Sequence, residues 1–101
     1  MKPTEVQIKK FWEWCGISKS RTGYWYYPDY CARPNAPDLD LNNLFKWAVP
    51  KLTMYELNSY NNDGLHSAWV SLSEDGGWEA SECETPALAL FWAIYKVIEN
   101  D

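Results

Sequence analysis

The sequence predicts an α+β fold, in which a three- to four-stranded, mainly antiparallel sheet is packed with three helices in a sandwich, in the order α-β-α-β-β-β-α. Three observations carry this prediction. Segments near both ends space apolar residues three and four apart behind recognisable helix caps. Residues 66–73 alternate between apolar and polar, the period of a strand with one buried face. "NNDG" at 61–64 and "EDGG" at 74–77 divide the second half into runs of strand length joined by tight turns.

The first helix opens at Thr4, where Thr4-x-x-Gln7 is a capping-box pattern. Ile8, Phe11, Trp12 and Cys15 share one face, Glu5, Lys9 and Glu13 line the opposite one, and Gly16 supplies a left-handed stop. Residues 23–27, bounded by Gly23 and Pro28, read as an aromatic strand. Pro28, Pro34, Asn35 and Pro37 then mark a turn-rich connection. A second helix is capped by Asp38 or Asp40 and presents Leu41, Leu44, Phe45 and Ala48. Pro50 ends or kinks it by disfavouring helical geometry at Val49.

Leu52–Tyr60 is the next strand and pairs through the "NNDG" turn with 66–73. There His66, Ala68, Val70 and Leu72 alternate with Ser67, Trp69, Ser71 and Ser73. A short last strand lies around Trp78–Ser81. Thr85 caps the final helix, with Pro86 at the first helical position, where no N–H partner is needed. Leu88, Phe91, Trp92, Tyr95 and Ile98 form its stripe, Leu90, Ile94 and Val97 widen it, and Ala89, Ala93 and Lys96 share an outward line. A helix this apolar belongs to a core or meets a partner.

At 101 residues, 47% of them apolar and 17% aromatic, the chain is expected to form one domain over 1–101. Its net charge of −5 argues against a surface that tracks phosphates, so direct nucleic-acid binding is not expected. An acidic protein can still meet a basic partner or imitate nucleic acid. No run approaches the length of a membrane span and the start is polar to Phe11, so neither a membrane segment nor a leader is expected. Cys15, Cys31 and Cys83 are odd in number and widely spaced. They read as reduced, buried thiols of a cytoplasmic protein.

Trp14-Cys15-Gly16, Trp25-Tyr26-Tyr27-Pro28-Asp29, Asp40-Leu41-Asn42 and Glu79-Ala80 occur in an order and spacing that carry a resemblance, as does Thr85-Pro86-Ala87-Leu88-Ala89-Leu90. From about Phe11 to Ile98 the chain resembles the phage ABA sandwich domain family of small phage and prophage proteins. The resemblance implies an α/β sandwich and a phage or prophage origin. It implies no catalytic residues. The chain departs from the pattern at Pro50 and at Phe91-Trp92.

The residues point to no catalytic, cofactor or metal site. His66 with the three cysteines lacks the short ligand spacings of structural zinc. Cys83, just ahead of the last helix, with His66 as its base, is the one nucleophilic arrangement to weigh, and it lacks an evident third orienting group. Glu56, Asp63, Glu74 and Asp75 sit at strand ends or turns, where solvated acids are ordinary. A double-stranded-RNA-binding domain would need basic residues where this chain has Glu82-Cys83-Glu84-Thr85.

Aromatics remain. Tyr24, Trp25, Tyr26, Tyr27 and Tyr30 fall within seven positions. On a strand Tyr24 and Tyr26 share one face and Trp25 and Tyr27 the other, so they cannot form one flat platform. With Trp14, Trp69 and Trp78 they make the candidate interaction surface, since Tyr and Trp anchor interfaces. The expected function is a non-catalytic module that binds an as yet unidentified protein partner without a cofactor. The alternatives are an acidic inhibitor mimicking nucleic acid on a host enzyme, and a small-molecule binder or enzyme with a pocket invisible in sequence.

Overall fold

The computed structural model describes residues 2–60, 64–72 and 77–99. The class is α+β, with three α-helices and two three-stranded antiparallel sheets among the described residues. The chain divides into two compact units, residues 2–38 and the residues from Leu39 onward.

In the first unit, α1 spans Glu5–Trp14. The Gln7 N–H donates to Thr4 Oγ1 at 3.2 Å and the Thr4 N–H donates to Gln7 Oε1 at 2.8 Å, which closes the capping box. Such a cap contributes about 1 kcal/mol. Phe11 and Trp12 are fully buried and meet edge to face at 4.9 Å. Gly16, at φ +92°, donates to Glu13 O (3.0 Å), and Ile17 donates to Trp12 O (2.9 Å). These two bonds are the Schellman pattern that a left-handed residue makes possible.

Three strands of two residues follow: β1 (Ser18–Lys19), β2 (Trp25–Tyr26) and β3 (Ala32–Arg33), paired in that order. The sequence predicts one strand here, at 23–27, within a single three- to four-stranded sheet. Instead the aromatic stretch is the middle of its own small sheet. Both turns that flank β2 have the same build. In one, the Gly23 N–H donates to Ser20 O and the Ser20 N–H to Tyr24 O; in the other, the Tyr30 N–H donates to Tyr27 O and the Tyr27 N–H to Cys31 O. Gly23 and Tyr30 both have positive φ, +93° and +65°.

In the second unit, Asp40 Oδ1 accepts the Asn43 N–H at 2.8 Å and opens α2, Leu41–Asn43. The backbone then widens into a π-helical stretch, Leu44–Ala48, and tightens into a 3-10 turn, Val49–Lys51. Leu44 and Ala48 are fully buried, as the predicted stripe requires. Pro50 does not move Val49 out of helical geometry (φ −58°, ψ −36°); the chain turns extended only at Leu52.

The strands β4 (Met54–Tyr60), β5 (Leu65–Ser71) and β6 (Glu79–Cys83) form an antiparallel sheet with β5 central. The pairing of Tyr60 with Leu65 joins β4 to β5 where the "NNDG" turn was expected; residues 61–63 of that turn, and 74–76 of the "EDGG" turn, lie outside the described residues. Ala68 and Val70 are fully buried, while Trp69 between them is exposed.

Helix α3 spans Pro86–Glu99 and contacts β5 and β6. Thr85 Oγ1 accepts the Leu88 N–H at 3.2 Å, as the cap predicts. The expected outward line is corrected: Ala89 and Ala93 are fully buried, and from Ala87 to Ile98 only Lys96 is exposed. Small side chains at these positions reflect close packing, not solvent.

Candidate functional site

Alternation along β2 separates its aromatics as predicted. Tyr24 and Tyr26 are about half exposed, whereas Tyr27 is buried and Trp25 half-buried. The register sets Lys19 and Arg33 on either side of Trp25. Lys19 Nζ lies 5.9 Å from the Trp25 ring centre and the Arg33 guanidinium 4.1 Å from that of Tyr27. A cleft of about 390 Å³ lies beside this edge, lined by Glu5, Val6, Ile8, Lys9, Lys19 and Trp25.

Asp29 ties the second turn together. Its Oδ1 accepts the Cys31 N–H at 3.1 Å and its Oδ2 accepts from Arg33 Nη2 at 2.7 Å. The Arg33 hydrogen bond holds the Asp29 carboxyl below the usual carboxylate range, and the same bond raises Arg33. Burial pushes the Tyr27 phenol above the ordinary tyrosine range, with Arg33 acting against it. The Tyr27 hydroxyl donates to Asn35 O at 2.8 Å, so this ring serves structure. Trp14 is half-buried at the end of α1. Tyr30 is fully exposed at the turn.

Trp69 and Trp78, the remaining predicted surface residues, come together. Cα pairing sets Glu56 of β4 directly opposite Trp69, and Trp69 opposite Ala80. Trp78 is two residues before Ala80, so it continues the same face. Trp69 is 44% exposed and Trp78 42%, and with Glu56 they line one cleft of about 240 Å³. Asn58 Nδ2 donates to Glu56 Oε1 at 3.1 Å and steadies the carboxylate.

A second cleft of about 260 Å³ also has Trp69 in its lining, with Ser67, Glu82 and Lys96. Lys96 Nζ donates to Ala80 O there. Ser67 is buried, and its hydroxyl has no hydrogen-bond partner among the described residues. The sequence offers Glu56 only as a solvated acid, Ser67 only as a polar strand position, Glu82 only as an acid ahead of the last helix and Lys96 only as an outward helix residue, none of them as part of a site. The shared face of Glu56, Ser67 and Glu82 follows from strand register, which alternation within one strand does not fix, and Lys96 reaches its cleft from α3.

Of the residues weighed for catalysis, the structure brings one pair together. His66 and Cys83 are directly paired across β5 and β6, yet the Cys83 thiol is buried and its hydrogen-bond contact is with Ser81 Oγ at 3.8 Å. Cys15 is also buried. Cys31 is exposed, which corrects the expectation of three buried thiols, and all three are free. Of the four acids weighed, Asp63, Glu74 and Asp75 lie outside the described residues. Among the described residues no three His, Cys, Asp or Glu side chains are placed to hold one metal ion, and no helix is long and apolar enough to cross a membrane.

Comparison of the chain with family models, with curated proteins and with solved structures found no match.

Proposed function

We propose that the protein is a protein-binding module that acts without catalysis, in the cytoplasm, and that it contacts its partner through the Trp69–Trp78 face of the β4–β6 sheet. The observation that carries this reading is the placement of two half-exposed tryptophans on one sheet face, sharing one cleft with a carboxylate. Large rings left in water at this density are the anchors of interfaces. A phage or prophage origin, and an α/β sandwich arrangement, rest on the sequence resemblance alone.

Immobilised protein exposed to a bacterial lysate tests the reading. A specific protein should be retained by the wild type and by Tyr24→Ala/Tyr26→Ala, and lost from Trp69→Ala/Trp78→Ala. Retention that ignores the tryptophans, or no specific retention at all, overturns it.

A second reading has its own observation. Residues from Leu39 to Asp101 hold ten Asp and Glu against three Lys and Arg. An inhibitor that occupies a nucleic-acid groove would use that charge. In that case DNA would compete for the retained protein, and Glu56→Gln/Glu82→Gln would weaken retention more than loss of the tryptophans.

A further inference from the structure

We propose that the cleft between Glu56, Trp69 and Trp78 is a cation site, and that its occupant is an arginine side chain of a basic segment on the partner. The inference rests on the protein-binding reading and names the chemistry that this face selects.

Tryptophan offers the strongest aromatic face to a cation, and such contacts hold centres within about 6 Å of the ring. This chain already makes the contact internally, with Lys19 over Trp25 at 5.9 Å, Arg33 over Tyr27 at 4.1 Å and Lys46 over Trp47 at 4.8 Å. Among the described residues no Lys or Arg lies over Trp69 or Trp78. Their exposed rings meet at a cleft whose third wall is Glu56.

Glu56 decides the sign of the ligand. An anion would face a carboxylate held in place by Asn58. A purely apolar side chain would strip that carboxylate of water and give nothing in return. A cation satisfies both walls at once. The unit around the cleft adds long-range attraction, with its seven-charge acidic excess from Leu39 onward.

Arginine fits better than lysine for a geometric reason. Its planar guanidinium stacks on a ring while its edge donates to a carboxylate, whereas an ammonium is a compact, strongly hydrated point charge. The Glu56 oxygen that does not take the Asn58 bond is the acceptor left for it.

The test uses the intact chain with ¹⁵N-labelled tryptophan and three capped peptides, Gly-Arg-Gly-Arg-Gly and its Lys and Glu counterparts. The Arg peptide should shift the Trp69 and Trp78 indole signals saturably. The Lys peptide should bind several-fold more weakly, and the Glu peptide should leave both signals in place. Glu56→Gln, an exposed substitution that keeps the fold, should weaken the Arg peptide by about tenfold. Trp69→Leu should do the same.

Equal shifts from the Glu peptide, an affinity indifferent to Glu56→Gln, or no saturation into the millimolar range would each overturn the cation site. Preference for the Lys peptide would overturn arginine as occupant. If lysate retention still depends on Trp69 and Trp78 while the Arg peptide fails, the cation site falls and the binding face stands. If the peptide binds while no protein is retained, the partner reading falls and the site stands.

Discussion

Residues 2–38 and the residues from Leu39 onward reach a three-stranded antiparallel sheet by different means. The first sheet is built from strands of two residues, and turns, caps and ring–cation pairs do most of its specifying. The second has strands of five to seven residues against a 14-residue helix that is buried on most sides. Their charges differ in the same direction. The first holds six Lys and Arg against four Asp and Glu, while the second holds three against ten. Local hydrogen bonds and paired charges specify a short element residue by residue. Apolar area specifies a long one collectively, and leaves its outer face free to carry an excess of one charge.

That contrast predicts where stability concentrates. Phe91 is fully buried in α3, and its ring stacks on that of Tyr95 with the centres 5.8 Å apart. Phe91→Ala should cost about 3–5 kcal/mol, through lost transfer energy and the cavity left behind. The urea midpoint measures it. A loss below about 1 kcal/mol would mean that burial does not dominate the second region.

The same contrast separates what the sequence discloses from what it conceals. Helices α1 and α3 are legible because a cap, a period and a stop coincide, as Thr4, Phe11–Trp12 and Gly16 do for α1. β5 is legible because seven residues are enough to show alternation. Ser18–Lys19 and Ala32–Arg33 are too short to show any period, and the turn that creates β3 places Tyr30 where a glycine would have advertised it. The π-helical widening at Leu44–Ala48 buries the same stripe that an α-helix would, so periodicity cannot distinguish them. Alternation places Trp69 on the polar face of β5, but its exposure could not be read from its neighbours, because Ser67 and Ser71 on that face are buried. Its pairing with Glu56 depends on the register across residues 61–64, where one residue more or less would turn the carboxylate to the other face.

The two turns around β2 share a backbone and differ at its left-handed position. Gly23→Ala should destabilise by about 1–2 kcal/mol, since a Cβ there is strained although nothing lies within 4 Å of it. Tyr30→Gly should do the reverse by a smaller margin. Relief of about 1–2 kcal/mol of strain is set against about 0.5–1 kcal/mol of added chain entropy, leaving a gain of about 0.5 kcal/mol. Thermal unfolding of the pair measures both. If Tyr30→Gly destabilises instead, the fully exposed tyrosine contributes to the fold in a way its surroundings do not show.

The smallest effect lies in the charge clamp of the second turn. Asp29 titrates below its ordinary range because Arg33 hydrogen-bonds its carboxylate, with the Cys31 N–H helping. The folded turn therefore releases the proton more readily than the unfolded chain. Above the ordinary aspartate range both states are ionised and the clamp's full contribution is present. As pH falls, the unfolded chain takes up the proton first, and the contribution is lost progressively until the folded carboxyl is protonated too. Protection of the Cys31 amide from hydrogen exchange, corrected for the intrinsic rate, should fall with acidification in the wild type. In Asp29→Asn it should start lower and lack that step. Both partners are solvent-accessible, so the change should be small and should shrink further in high salt. An acid step of equal size in Asp29→Asn would assign it to another carboxylate and remove Asp29 as the residue that closes the hairpin.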